Sequence, residues 1–291
     1  MKIYENDSNL ILEDVSDFDI EDILECGQCF HFLKIADHEY HICAKGRFLH
    51  IKQECGSVNK VIFYNTTISD YEEVWKDYFD MNTDYQHIKK MILSIDDRLE
   101  TAIRAKAGIR ILHQDFFETL ISFIISQNKQ IPHIKQLVHT LSLRYGTRVD
   151  GYDEYLFPAV DKLNDVSVDE LKECKVGFRA PYIRDAVSRV YNGDIKEDEL
   201  KCMSVQDARE KLMTIHGVGE KVSNCVLLFG LGRMDVFPVD VWMKRIMEFM
   251  YFGKDTKKEV IESFACEKYG EYAGYAQQYL FHYGRENGIG K

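Results

Sequence analysis

The sequence lacks a long apolar run, and nowhere does it hold the roughly 20 apolar residues in succession that a helix needs to cross a bilayer. Its start is equally poor in apolar residues, because Lys2 and Glu5 bring charge before the core of a secretory signal could form. We therefore expect a cytoplasmic protein with no membrane partner.

Basic residues are scarce for a protein that binds nucleic acid. The chain has 37 lysines and arginines against 48 aspartates and glutamates, a formal net charge of −11, whereas general nucleic-acid binders usually carry a basic excess. Binding to a nucleic acid is compatible with this charge only if the contact is local. Backbone amides and helix N-termini would supply such contacts, because they add nothing to the formal charge.

Closely spaced cysteines are also few, since Cys26 and Cys29 form the one C-x-x-C among eight scattered cysteines. No second pair lies at the spacing of a zinc site. A redox dithiol fits slightly better, but the β-α-β pattern that such a site needs is missing. We expect neither a metal site nor an organic cofactor.

What the sequence does contain is a change of pattern near residue 80. Alternating or continuous apolar segments typical of strands occur at 30–32, 40–44, 48–51 and 61–64, whereas helical periodicity begins near residue 85. The sequence thus predicts an α+β chain, with a small N-terminal antiparallel β-sheet domain over residues 1–84 and a mainly helical body over 85–291. The predicted helices span 116–126, 132–145, 168–174, 182–190, 240–250, 257–268 and 272–285.

The most informative stretch is Ile-His-Gly-Val-Gly-Glu-Lys at 215–221. Gly217 and Gly219 permit a tight turn whose backbone amides are open to a ligand, because no Cβ blocks the approach. The apolar spacing predicts one helix before the turn, capped by Ser204, and one after it that starts near Glu220 and stops at Gly230. Amides at a helix start bind phosphate. Residues 204–230 therefore predict a helix-hairpin-helix that holds a nucleic-acid backbone.

This hairpin, followed by Pro238-Val239-Asp240, resembles that of the helix-hairpin-helix-GPD DNA glycosylases, in which a lysine at position 221 marks the bifunctional glycosylase/lyases. The dipole of the second hairpin helix disfavours the charged form of Lys221, so its amine is expected to attack a sugar C1′ and form a Schiff base. Asp240 is expected to stabilise the oxocarbenium-like sugar. Two simpler alternatives are a phosphate-contacting lysine and a plain helix N-cap worth about 1 kcal/mol.

Gln277 and Phe281 lie four residues apart, and so share one face of a helix. On periodicity alone, Phe281 would be a core residue. However, segment 272–281 resembles the base-pocket helix of the 8-oxoguanine DNA glycosylases. Further segments agree with that family, at 26–30, 77–79, 122–128 and 177–180. The resemblance implies that Gln277 bonds the edge of an extruded base and that the Phe281 ring stacks on it.

The resemblance also implies roles for residues far apart in the sequence. Gly27 would offer its carbonyl to N7–H of the lesion, because oxidation at C8 turns N7 from an acceptor into a donor. Guanine would present a second acceptor there, a mismatch of about 1–3 kcal/mol. Cys225 would cover the other face of the base, unless it is simply a core cysteine. The implied DNA contacts are Asn128 in the gap left by the base, Arg179 at the orphaned cytosine, and Phe178 as a wedge in the duplex.

Three positions depart from the family's usual pattern. His133 stands in place of a frequent second arginine for the opposite cytosine, Phe178 in place of a tyrosine, and Trp242 in place of a phosphate-binding histidine. Histidine is usually neutral at pH 7 and reads cytosine less firmly than arginine does. The sequence therefore predicts weak discrimination of the base opposite the lesion.

The predicted function is excision of 8-oxoguanine from double-stranded DNA by a monomeric glycosylase that then nicks the strand by β-elimination. One alternative is a non-catalytic helix-hairpin-helix DNA-binding protein. Another is a glycosylase for a different damaged base. Relatives that act on oxidised pyrimidines or mispaired adenine usually carry a four-cysteine iron–sulfur cluster, and only Cys225 and Cys266 follow the hairpin here.

Overall fold

The computed structural model describes residues 1–289 and places a six-stranded antiparallel sheet at the N-terminal end. Its strands pair in the order β1-β2-β6-β5-β4-β3. Their bounds are β1 (Lys2–Asn6), β2 (Asn9–Glu13), β3 (Phe32–Ala36), β4 (Glu39–Ala44), β5 (Arg47–Glu54) and β6 (Lys60–Tyr64). Helix α1 (Ile20–Glu25) lies in the connection between β2 and β3, and it leads directly into Gly27.

The helical body follows the sheet. It begins with the short helices α2 (Ile68–Asp70) and α3 (Lys76–Tyr78), which are joined by a π-helical turn, Tyr71–Trp75. The helices that follow are α4 (Tyr85–Ile95), α5 (Glu100–Ala105), α6 (Phe116–Ser126), α7 (Ile131–Tyr145), α8 (Val160–Asn164), α9 (Val168–Glu173), α10 (Ala180–Tyr191), α11 (Glu197–Cys202), α12 (Val205–Met213), α13 (Glu220–Leu231), α14 (Val241–Met247), α15 (Lys258–Tyr269) and α16 (Ala273–Glu286). The predicted fold class, an antiparallel sheet ahead of a helical body, is confirmed.

The described residues pack into three hydrophobic cores. One lies under the sheet, where the rings of Phe63 and Phe79 meet edge to face at 5.9 Å. The second surrounds α6 and α13, where Phe123 and Phe229 stack at 5.6 Å. The third joins α14, α15 and α16 to α4 and α5. The chain around Gly27 contributes to all three cores, through Cys26 to the third, Cys29 to the first and Phe30 to the second. The division of the chain at residue 84 stays a prediction.

Strands β1 and β2 were not predicted, and one predicted strand begins late. β1 is exposed along almost its whole length, so it lacks the alternation that marks a half-buried strand. The strand expected at 30–32 starts only at Phe32. Phe30 is buried ahead of it, with its ring 5.5 Å from that of Phe123. Strand formation depends on cross-strand and packing partners that a short apolar run does not reveal.

Two predicted helix ends were also wrong. Helix α13 runs past Gly230 to Leu231 and ends at Gly232, which has a left-handed φ of +68°. Gly230 instead serves a close helix contact, because a Cβ there would lie 3.3 Å from the Cβ of Thr119 in α6. The helix expected over 240–250 changes after Met247 into a π-helical turn, Glu248–Phe252.

All eight cysteines are free thiols. Burial raises the pKa of the Cys26 thiol to about 11 and moves that of Cys29 well above its ordinary value. Protonated thiols are poor nucleophiles, which disfavours a redox role for this pair. Within residues 1–289, no helix is both long enough and apolar enough to span a bilayer.

Candidate active site

A cavity of about 490 Å³ lies where the chain leaves α1 and meets five helices of the body, α6, α7, α13, α14 and α16. Gly27 lines it from the segment after α1, Ser126 from the end of α6 and Lys221 from the start of α13. Asp240, the residue just before α14, also lines the cavity, as does Phe281 of α16. The structure therefore brings together an amine, a carboxylate, an aromatic ring and a glycine from distant parts of the sequence.

Lys221 lies in the first turn of α13 and is partly buried. Its Nζ donates to Ser126 Oγ at 3.2 Å and lies 4.9 Å from the centre of the Phe123 ring. In the described part of the chain, no carboxylate forms an ion pair with this nitrogen. A neutral hydroxyl and an aromatic ring therefore hold the amine at the cavity wall, where a sugar could approach it.

Asp240 is the N-cap of α14, as predicted. Its Oδ1 accepts from the backbone amide of Met243 at 2.7 Å. The cap fixes the carboxylate on the wall that also carries Lys221. A carboxylate held in place on the cavity wall is suited to stabilising a cationic sugar.

Gly27 and Phe281 lie next to each other in the wall of the cavity. Gly27 has a left-handed φ of +86°, and a Cβ there would lie 3.0 Å from Ile131 Cδ1 and 3.3 Å from Phe281 Cε1. Both the backbone conformation and the close contacts require glycine at this position. The predicted pairing of Gly27 with Phe281 in one cavity is therefore present in the structure.

Gln277 and Cys225 are more deeply buried than Phe281. Gln277 is 5% exposed, with its Nε2 3.5 Å from the carbonyl oxygen of Pro238 and its buried Oε1 without a hydrogen-bond partner among residues 1–289. An unpaired buried oxygen is costly unless a ligand supplies a donor. Burial raises the pKa of the Cys225 thiol to about 11, although nearby Lys221 opposes the shift. This thiol therefore stays neutral at pH 7.

Most of the predicted DNA-contacting side chains lie at the surface. Phe178 is 53% exposed, and Asn128 and His133 are also exposed. Trp242 lines both the cavity and the adjoining groove, with the Arg245 guanidinium 5.8 Å from its ring centre. Asn128 and Phe178 line the adjoining groove, whereas His133 lines neither the cavity nor the groove.

Arg179 is the exception, because its side chain is buried. It donates to the carbonyl oxygens of Val176, at 3.1 Å, and Gln127. Its guanidinium carbon lies 4.3 Å from the centre of the Phe178 ring. A contact between Arg179 and an orphaned cytosine therefore needs the side chain to leave these partners, and that role stays a prediction.

The two hairpin glycines have different surroundings. Gly217 has a φ of +78°, and a Cβ on it would lie 2.3 Å from the Tyr182 ring. A Cβ on Gly219, the N-cap of α13, would stand in open space. The hairpin is also held from α10, because the His216 amide donates to Asp185 Oδ2 at 2.8 Å. Gly217 therefore serves packing, whereas Gly219 leaves the start of α13 accessible.

This difference predicts that Gly217→Ala lowers the melting temperature by on the order of 5 °C, since strained backbone and a steric clash add up. Gly219→Ala should leave the melting temperature unchanged and weaken DNA binding, because its methyl group would stand between a phosphate and the helix amides. Thermal unfolding and DNA titration on both variants measure the two effects. Equal stability of the two variants would contradict the packing role of Gly217.

Ser126, Lys129 and Lys258 are site residues that the sequence did not single out. Ser126 binds the amine of Lys221, and Lys129 lines both the cavity and the groove beside it. Lys258 lines that groove as well. No local pattern distinguishes these side chains from ordinary surface or helix-end residues. Only the tertiary arrangement places them beside the cavity.

Within residues 1–289, one group of side chains has donor atoms close enough to hold an ion: Asp22, His282 and Glu286. The ammonium of Lys106 already lies among them, 2.9 Å from Asp22 Oδ1 and 2.6 Å from Glu286 Oε2. His282 Nε2 lies 3.1 Å from the same Asp22 oxygen. We interpret the group as an ion-pair network that fastens α1 to α16.

Two family models together match most of the chain. Residues 10–120 match the N-terminal domain of 8-oxoguanine DNA glycosylase, and residues 121–270 match the HhH-GPD superfamily of base excision DNA repair proteins. The chain belongs to the 8-oxoguanine DNA glycosylases of the helix-hairpin-helix-GPD superfamily. The family predicted from the hairpin and the base-pocket helix is confirmed.

Relatives support this assignment along the length of the chain. The N-glycosylase/DNA lyase OGG1 of Arabidopsis thaliana is 30% identical over 272 residues, which cover 88% of this chain and 74% of that protein. The Clostridium acetobutylicum 8-oxoguanine glycosylase/lyase, solved with double-stranded DNA containing cytosine opposite 8-oxoguanine, is 38% identical with a TM-score of 0.94 over 99% of both chains. MBOgg1, solved with a low-affinity DNA ligand, is 41% identical with a TM-score of 0.93 over 99% of both chains.

Proposed function

We propose that this chain removes 8-oxoguanine from double-stranded DNA and then nicks the strand, with Lys221 as the nucleophile. The placement of its amine in one cavity with Asp240, Gly27 and Phe281 carries the proposal. Attack of Nζ on C1′ forms a C–N bond while the glycosidic bond breaks and its electron pair leaves with the base. The attached nitrogen then loses one proton and its lone pair forms the C=N bond as the C1′–O4′ bond breaks; O4′ takes up a proton, and the opened sugar is held as a protonated Schiff base.

The Schiff base makes strand cleavage accessible. Removal of a C2′ proton sends electrons toward the iminium and breaks the C3′–O bond, which leaves a nick on the 3′ side of the lesion. Hydrolysis of the imine then frees Lys221. Asp240 stabilises the positive charge that develops on the sugar as the base departs. The proposed enzyme acts as a monomer, because one chain supplies all of these groups.

Base recognition is proposed to occur between Phe281 and Cys225, which cover opposite faces of the extruded purine. Gly27 accepts N7–H of the lesion, and Gln277 bonds the Watson–Crick edge. The buried, unpaired Oε1 of Gln277 supports this role, because a base N–H would satisfy it. In a pocket of this kind guanine loses the bond at N7.

The DNA duplex is proposed to lie across the groove beside the cavity. The amides around Gly217 and Gly219 bind its phosphates, and Trp242 packs beside the backbone. Phe178 enters the base stack and Asn128 fills the vacated position. The further contacts proposed with the opposite strand are His133 and Arg179.

Borohydride trapping tests the proposed function against its alternatives. The protein should form a covalent adduct with a duplex containing 8-oxoguanine, and no adduct with an undamaged duplex or with one containing 3-methyladenine. A glycosylase of different specificity would be trapped on another lesion. Tight binding with no adduct on any of the duplexes would support a non-catalytic DNA-binding protein.

The opposite base should be read only weakly. His133 is exposed at the start of α7 and Arg179 is withdrawn, so little positive charge reaches an orphaned cytosine. We expect excision rates opposite the four bases to agree within about 10-fold, or about 1.4 kcal/mol, which is the lower end of what one base contact contributes. His133→Arg should shift the preference toward cytosine. A strict cytosine preference in the unaltered protein would refute this prediction.

A further inference from the structure

Arg285 lies in the last turn of α16 and has no part in the roles proposed so far. It lines the cavity together with Gly27 and Phe281. Phe281 lies one helical turn earlier, and the guanidinium carbon of Arg285 is 5.4 Å from the centre of its ring. Arg285 therefore belongs to the wall against which the extruded base is proposed to stack.

One end of the guanidinium fixes the segment that carries Gly27. Arg285 Nη2 donates to the carbonyl oxygen of Glu25, the last residue of α1, at 2.7 Å. Gln278 Nε2 donates to the next carbonyl, that of Cys26, at 3.3 Å. The backbone is thus fastened to α16 up to the residue whose carbonyl is proposed to test N7.

The other end of the guanidinium is unpaired. Nη1 of Arg285 is buried and has no hydrogen-bond partner within residues 1–289. It lies 3.4 Å from the position that a Cβ would take on Gly27. A buried donor without an acceptor is costly, and more so when it is charged. An acceptor brought by a ligand beside Gly27 would relieve this cost.

We infer that Arg285 is a specificity-determining residue whose Nη1 donates a hydrogen bond to O8 of the extruded 8-oxoguanine. The inference rests on the proposed function. The lesion presents N7–H next to the C8 carbonyl, whereas guanine presents a bare N7 next to C8–H. A carbonyl at Gly27 beside an N–H at Arg285 complements the first pattern and mismatches both atoms of the second. A guanidinium donor also gives the stronger, charge-assisted kind of hydrogen bond.

Two base analogues isolate the contact to O8. Neither 8-oxo-7-deazaguanine nor 7-deazaguanine has a nitrogen at position 7. They differ by the C8 oxygen and by one hydrogen on C7, which forms no conventional hydrogen bond. In a Lys221→Gln background, which permits binding without chemistry, the first analogue in duplex DNA should bind about 10-fold more tightly than the second. Adding Arg285→Met should remove this difference. Adding Arg104→Met, a matched change at an exposed arginine of α5, should preserve it.

Lyase activity separates base reading from a structural role. With Lys221 intact, Arg285→Met should cleave a preformed abasic site within about 2-fold of the unaltered protein, because no base occupies the pocket. Two results would overturn the inference. One is persistence of the O8 preference in Arg285→Met, and the other is a loss of lyase activity in this variant as large as its loss of 8-oxoguanine excision. Failure of the unaltered protein to release 8-oxoguanine at all would overturn the proposed function itself.

Discussion

Lys221→Gln should abolish the adduct that borohydride traps on an 8-oxoguanine duplex and slow base release and nicking by at least about 10³-fold. Glutamine keeps much of the length of the side chain but has no amine to attack C1′, so the covalent route is closed. The Ser126 hydroxyl can still bond the amide, which limits the structural change. Gel separation of the trapped complex and a single-turnover nicking assay measure the loss.

Lys172→Gln is a matched control, because Lys172 is exposed on α9 and pairs only with Asp169 among the described residues. This variant should be trapped as efficiently as the unaltered protein. An undiminished adduct in Lys221→Gln would show that another amine attacks the sugar. Lys129, which lines the same cavity, would then be the first residue to replace.

Asp240→Asn should reduce base release by about 10²- to 10³-fold with little change in stability. Asparagine caps a helix about as well as aspartate, so the bond to the Met243 amide survives while the negative charge is lost. The missing charge no longer stabilises the cationic sugar, an effect of the size seen when one stabilising group is removed from an active site. Single-turnover release of 8-oxoguanine and thermal unfolding test the two parts separately.

Asp84→Asn provides the comparison for the cap alone. Asp84 is the N-cap of α4 and accepts from the His87 amide at 3.0 Å, a bond of the same kind as that of Asp240. It should lose neither activity nor more than a few degrees of melting temperature. If the two asparagine variants behaved alike, Asp240 would be a structural cap with no part in the chemistry.

The sequence predicted best what is encoded locally. Helix α6 has the predicted bounds, because Asp115 caps its start and an apolar stretch continues to Ser126. The hairpin helices also begin where predicted, the first after its cap Ser204 and the second at Glu220. Caps, glycines and periodicity act over a few residues, so one sequence is enough to read them.

Features that depend on distant partners were beyond the reach of the sequence. Ser126 and Lys221 are 95 positions apart, and no spacing rule pairs them. Arg285 contacts the Glu25 carbonyl across 260 positions. The burial of Arg179 was equally hidden, since the carbonyls that hold it become close only in the tertiary structure. Local sequence patterns predict where helices and strands lie. The site, in contrast, depends on how those helices and strands pack against each other in the tertiary structure.

Tyr182 connects the exposed ring of Phe178 with the hairpin. Its ring lies 5.9 Å from that of the exposed Phe178 and 4.6 Å from that of His216, and it packs against the Cα of Gly217. If Phe178 enters the base stack while the hairpin binds the phosphates, the ring of Tyr182 packs between the two. The two contacts with the duplex should then form and break together. During a search along undamaged DNA, Phe178 would then leave the base stack each time the hairpin releases the phosphates.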